Sequence, residues 1–106
     1  MEQNKLISIV IPCYNEEKNI PILYEELMKV LESDNFNYDY EVLLIEDGSE
    51  DSTWEQMLKI AERNSKFKLL KHGRNMGMTQ AYQNGFDHAE GEYVLIYSSD
   101  LEIEAK

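Results

Sequence analysis

The sequence predicts an α/β fold, a Rossmann-like parallel sheet of about four strands with helices on both faces. Three observations predict it. Short, almost continuously apolar runs recur, as in "LISIVI" and "YEVLLIE". Segments with apolar residues at helical spacing separate them. Each apolar run also gives way abruptly to polar, acidic or Gly-rich residues. Continuous apolarity marks strands covered on both faces, and the intervening helices are the crossovers that parallel strands require.

Leu6–Ile11 is the first strand, closed by Pro12. The stretch "NEEKNIPILYEELMKVLES" places Ile20, Leu23, Leu27 and Leu31 on one helical face, with Pro21 tolerated in the first turn. Asn35–Tyr40 is polar and aromatic and reads as a loop. Tyr40–Glu46 is a second buried strand. It breaks at "DGSEDSTWEQ", where Ser52 and Glu55 form a capping-box pattern. Trp54, Met57, Leu58 and Ala61 supply the apolar stripe of the helix that follows. Phe67–Lys71 reads as the third strand and "HGRNMG" as the loop after it. The third helix spans Met78–Ala89, with Ala81, Tyr82, Gly85 and Ala89 as a small-residue face, and Gly91 ends it. "EYVLIY" is the fourth strand.

At 106 residues the chain is one domain, with a modest core. Its 42% hydrophobic and 29% charged residues are ordinary for a globular protein. The net charge of −11 argues against nucleic acid or an anionic membrane as a direct electrostatic partner, because phosphate contacts need Lys and Arg. Clustered acids can still hold a divalent cation that recruits a phosphate ligand. Cys13 is the single cysteine, so neither an intramolecular disulfide nor a Cys-based metal site is available; beside Pro12 it reads as a small semi-buried thiol. Met1–Lys5 is mostly polar and Leu6–Ile11 is too short to span a membrane, so the expectation is a cytoplasmic chain with no membrane segment of its own.

In parallel sheets of this kind ligands bind beyond the carboxyl ends of the strands. The four predicted strands are followed by "PCYNEE", "EDGSED", "HGRNMG" and "SSDLE". Their convergence on one edge says more than any motif alone. Taken singly, Asp47-Gly48 is either a turn or a carboxylate for a nucleobase or ribose, and Tyr14 either stacks on a base or covers the core. Arg74 suits a diphosphate, although loop arginines are commonly just solvated. Asp100 and Glu102 are hard oxygen donors of the kind magnesium or manganese takes. His72 and His88 carry little signal, and His88 near a helix end complements its dipole.

Together "SIVIPCYNEEKNI", "LLIEDGSEDST" and "HGRNMGMTQAYQNGFDHAEGEYVLIYSSDLE" resemble the family 2 glycosyltransferases of the GT-A fold. The closest flavour is the branch with dolichol-phosphate mannose synthase and bacterial polyprenyl-phosphate sugar transferases. The resemblance runs from Leu6 to Glu102 in the family's motif order. It implies that residues 1–106 supply the nucleotide-sugar-binding half of an inverting transferase. The general base and acceptor surface then belong to a later half, so the chain alone transfers no sugar. By the same resemblance Pro12, Tyr14 and Glu16 line the nucleotide pocket, Asp47 contacts the nucleoside and Arg74 lies near the diphosphate. Asp100 matches the second acid of the family's metal motif and counts, with these, among the nucleotide-binding residues. Ser98 stands where the first acid is usual and Glu102 where Gln is usual, which leaves Asp100 and Glu102 as the candidate ligands for Mg2+ or Mn2+. The implied partner is a nucleotide-diphosphate sugar, and the implied acceptor a polyprenyl phosphate or glycan. A fourth strand left as an apolar edge predicts a homo-oligomer.

Two other readings compete. One is a non-catalytic nucleotide-binding or interaction module with a degenerate metal site. The other is a phosphoacceptor receiver domain using Asp47, which fits poorly because "PCYN" replaces an acid pair after the first strand and no fifth strand bearing a lysine follows.

Overall fold

The computed structural model of the chain describes residues 5–34 and 36–97. Four strands alternate with three helices: β1 (Leu6–Cys13), α1 (Ile20–Leu31), β2 (Asp39–Asp47), α2 (Thr53–Arg63), β3 (Phe67–His72), α3 (Met78–His88) and β4 (Tyr93–Ile96). All pair in parallel in the order β3-β2-β1-β4. The chain winds outward from β1 to β3, then crosses back to lay β4 on the other side of β1. The order therefore reverses at β1, where doubly wound sheets open a ligand crevice.

Side-chain alternation divides the sheet into two faces. Ile7, Ile9, Ile11 and Cys13 of β1 join Tyr40, Val42 and Leu44 of β2 beneath α1 and α2, which contribute Leu23, Leu27, Leu31, Met57 and Ile60. On the opposite face Val10, Leu43 and Ile45 pack against Ala81 of α3, with Leu70 and Tyr82 at the margin. Burying each large aliphatic side chain contributes about 1.5–3 kcal/mol, so the two-helix face dominates stability. Gly85 lets α3 approach closely: a Cβ there would overlap Val10 Cγ1 and lie 3.2 Å from Ile45 Cδ1.

Several expectations are corrected. Pro12 does not close β1 but lies inside it, opposite Ile45. Val10 O accepts from Tyr97 N, so even-numbered residues of β1 turn their backbone toward β4. The β1–β4 register ends at Val10↔Ile96, and a residue without an N–H at position 12 costs the β1–β2 ladder nothing. Cys13 is fully buried rather than semi-buried. β2 begins at Asp39, within the stretch read as loop.

The Ser52–Glu55 capping box does not form, because Ser52 makes no side-chain cap bond. Asp51 instead serves the first amide of the helix, its Oδ1 accepting from Thr53 N at 2.9 Å and from the Thr53 hydroxyl. In α2 the buried positions are Thr53, Met57 and Ile60, while Leu58 faces solvent. The helix is rotated so that Ile60, one residue before Ala61, meets the sheet. α3 ends at His88, before Gly91. Gly91 instead sits against β1, where its N–H donates to Ser8 Oγ and a Cβ would press on Leu6 O.

β4 differs from the other strands. Tyr93, Val94, Leu95 and Ile96 are all exposed, Leu95 by 51% and Ile96 by 56%. No helix among the described residues is long and apolar enough to cross a membrane.

Candidate functional site

Three loops meet at the carboxyl edge of the sheet, and side-chain hydrogen bonds join each to its neighbour. The loop after β1 is tied to the loop after β2 through Asn15. Its N–H donates to Ser49 Oγ at 2.8 Å, and its Oδ1 accepts from Glu50 N at 2.9 Å. Asn15 adopts a left-handed φ of 52°, a conformation that asparagine tolerates better than most residues. Further along, Glu16 N donates to Thr53 Oγ1 at 2.8 Å and Glu17 N to Asp51 Oδ2 at 3.4 Å. Burial pushes the Asp51 carboxyl up, but donation from Thr53 and Glu17 outweighs it and holds the group below its ordinary 3.8.

Asp47 ties the second loop to the third. Its carboxylate is 4% exposed and turned toward residues 75–77. Oδ1 accepts from Met76 N at 2.9 Å, and Oδ2 from Gly77 N at 3.1 Å and Asn75 Nδ2 at 3.2 Å. His72 Nδ1 lies 2.8 Å from Oδ1. Gly48 completes the clamp. Its φ is +78°, and a Cβ there would overlap the Arg74–Asn75 peptide. The Asp-Gly pair thus seats a loop twice, through the carboxylate of one residue and the missing side chain of the next.

The predicted site residues fall into three groups. Pro12, Tyr14, Glu16, Asp47 and Arg74 all lie at the carboxyl edge. Tyr14 is 43% exposed just past β1, and Arg74 is exposed with no ion-pair partner among the described residues. Pro12 and Asp47 are buried, and Glu16 accepts from Asn19 Nδ2 at 2.6 Å. Asp100 and Glu102, with Ser98, lie outside the described residues. Among the described residues no group of three His, Cys, Asp or Glu is placed to hold a metal. The polar recess of about 370 Å³ lined by Asn15–Asn19 and Asp51 carries Glu16, Glu17 and Asp51, a poor environment for a diphosphate.

Sequence reasoning missed Asn15, His72, Asn75 and Asn84. His72, read there as carrying little signal, is 6% exposed and bonds to Asp47 across the β2–β3 register. That register is invisible in the sequence. His88 behaves as expected, its Nδ1 2.8 Å from Asn84 O at the end of α3.

A parallel sheet with this strand order and this loop rim has the GT-A architecture, and solved structures agree. A Pyrobaculum calidifontis mannosyltransferase in complex with GDP-Man and Mn2+ superposes with a TM-score of 0.72 at 27% identity, over 94% of this chain and 28% of that one. S. aureus TarS 1-349 in complex with UDP-GlcNAc gives 0.74 at 29% identity, over 93% and 29%. Residues 8–106 match the family model described as glycosyl transferase family 2, and the chain belongs to that family. A dolichyl-phosphate beta-glucosyltransferase of Trichomonas vaginalis is 39% identical over 97 residues, covering 89% of this chain and 30% of the relative. The chain spans about 30% of the length of such relatives.

Proposed function

We propose that this chain supplies the nucleotide-sugar-binding part of an inverting glycosyltransferase, one that moves a sugar from a nucleoside diphosphate to a polyprenyl phosphate or glycan. The observation that carries it is the clamp on residues 75–77, which presents Arg74 at the same sheet edge as exposed Tyr14. Family membership and relatives named for nucleotide sugars and dolichyl phosphate support the donor and acceptor classes.

In this reading Tyr14 covers the base, Pro12 and Glu16 shape the pocket, and Arg74 meets the diphosphate. Asp47 serves the nucleoside end of the site while holding the third loop. The carboxylates of Asp100 and Glu102 are hard donors that fit Mg2+ or Mn2+, and would hold the ion together with phosphate oxygens. A bound divalent ion supplies neutralisation of the leaving diphosphate. The base that deprotonates the acceptor comes from polypeptide beyond these elements.

The test is calorimetry of UDP and GDP with Mn2+. The expected dissociation constant is about 0.1–1 mM, roughly 4–5.5 kcal/mol. Absence of heat with either nucleotide on folded protein rejects the reading. Binding without transfer, once the remaining polypeptide is supplied, favours a non-catalytic module instead.

The proposal extends to β4. Its outer edge is unpaired among the described residues, and an apolar cavity of about 280 Å³ lies between it and α1, lined by Ile9, Leu27, Leu31, Phe36, Leu95 and Ile96. Such an edge pairs with further β-structure. We propose a second copy of the chain as its partner, and light scattering showing a monodisperse monomer at high concentration would refute it.

A further inference from the structure

Asp47 and His72, both buried, and the half-buried Asn84 form a line running from β2 through β3 to α3. Asp47 and His72 are directly paired in the β2–β3 register, with His72 Nδ1 2.8 Å from Asp47 Oδ1. The other ring nitrogen, Nε2, lies within hydrogen-bond distance of Asn84 Nδ2. Asn84 Oδ1 in turn accepts from Gln80 Nε2 at 3.1 Å. A carboxylate only accepts, so His72 Nδ1 is the donor to Asp47 Oδ1.

We propose that His72 is a positioning residue for the loop that carries Arg74, fixing the Asp47 carboxylate so that it holds Met76 and Gly77 in place. The link to nucleotide binding rests on the function proposed above. His72 is nearly inaccessible, and its side chain bonds on β2 to the group that organises residues 75–77. Asp47 accepts from that loop through both oxygens, so rotation of its carboxylate releases both backbone donors together. The loop also lies against Gly48, which leaves no room for a shifted path on that side. Arg74, one residue before this clamped stretch, is the loop's cation and projects to solvent. A preorganised cation loses less on binding than one that must first be ordered. Arg74 therefore contributes fully only while His72 holds Asp47.

Amide exchange in the ligand-free full chain tests the positioning directly. His72→Phe is expected to cut protection at Met76 and Gly77 by about 10-fold or more, relative to core amides such as Val42 and Leu44. His72→Asn, which returns a short donor toward Asp47, is expected to restore much of it. Equal protection in wild type and His72→Phe overturns the proposal. Should His72→Phe fail to fold, Asn84→Ala read in the same way and the ring 15N signals of wild-type His72 decide the matter. A ring with no proton on Nδ1 overturns it.

The functional link is read from UDP–Mn2+ affinity in a double-mutant cycle. Arg74→Ala is expected to weaken binding about 10-fold in wild type and less than about 2-fold in the His72→Phe background. Losses that simply multiply overturn the link. If the wild type binds no nucleoside diphosphate, the functional reading fails, while amide exchange still decides the role of His72.

Discussion

Glu41 and Asp47 lie on the same face of β2, both almost wholly buried, one near each end of the strand. Glu41 ties the sheet to itself. It accepts from Ser8 Oγ of β1 at 2.5 Å, from Lys68 Nζ of β3 at 2.8 Å and from Glu90 N at 2.7 Å, while Gly91 N donates to Ser8 Oγ. These bonds lock the turn between α3 and β4 onto the amino end of the sheet, and a lysine balances the charge. Asp47 instead accepts from backbone amides, an asparagine and a histidine, and what it holds is a loop. One carboxylate joins secondary-structure elements that packing already brings together. The other orders a segment with little core of its own, beside an exposed arginine left available for an anion. Buried charge at the two ends of one strand thus serves stability at one and site geometry at the other.

Removing the amino-end network is expected to have the largest effect. Glu41→Ala strands the Ser8 hydroxyl and the Glu90 amide, costing about 3 kcal/mol of unfolding free energy, or roughly 10–20 °C in Tm. Denaturant titration measures the first and calorimetry the second. UDP affinity is expected to stay within about 2-fold once the protein is folded, and a larger loss would erase the contrast between the ends.

Gly48→Ala attacks the other end. A side chain at φ +78° that also collides with the Arg74–Asn75 peptide is expected to cost about 1–3 kcal/mol. The signature that distinguishes it from Glu41→Ala is amide-shift change concentrated in residues 73–77, seen by NMR. Asp47→Ala comes next, with a stability loss of about 1–2 kcal/mol and no unfolding, but weaker nucleotide binding. If Asp47→Ala and Glu41→Ala lose stability and affinity in the same proportion, the two carboxylates do not differ in role.

The smallest effect is on pH dependence. Burial pushes the Glu41 carboxyl up, but donation from Glu90 N–H, Lys68 and Ser8 outweighs it and holds the group below its ordinary 4.5. Between the folded and unfolded values the unfolded chain binds the extra proton. This stabilisation is therefore complete above about pH 4.5 and disappears as pH falls through the lower, folded value. Unfolding midpoints measured from pH 6 down to pH 3 are expected to fall less steeply for Glu41→Gln than for wild type. Parallel curves would show that Glu41 does not contribute to the acid limb.

Local pattern carried a large part of this protein. Continuous apolar runs in β1 and β2, helical spacing of Ile20, Leu23, Leu27 and Leu31, and polar breaks after each strand are short-range signals, and they specified a parallel α/β sheet with its polar edge. The motif order also identified the family, because residues 8–106 keep it in one uninterrupted stretch. The partners of those motifs depended on register and helix rotation, which are long-range properties. Asp47 reads as a ligand contact in one dimension, yet in the fold its carboxylate faces Met76 and Gly77, brought near by pairing β2 with β3. His72 reads as the first residue of a loop, until β3 extends through it and the same pairing sets it opposite Asp47. Ser52 and Glu55 had the spacing of a cap, but the side chain that bonds the start of the helix is Asp51, on the Thr53 amide. Spacing along the chain specifies which residues can form an element; only tertiary packing decides which polar groups are desolvated together, and buried groups take whichever partners that packing leaves within reach.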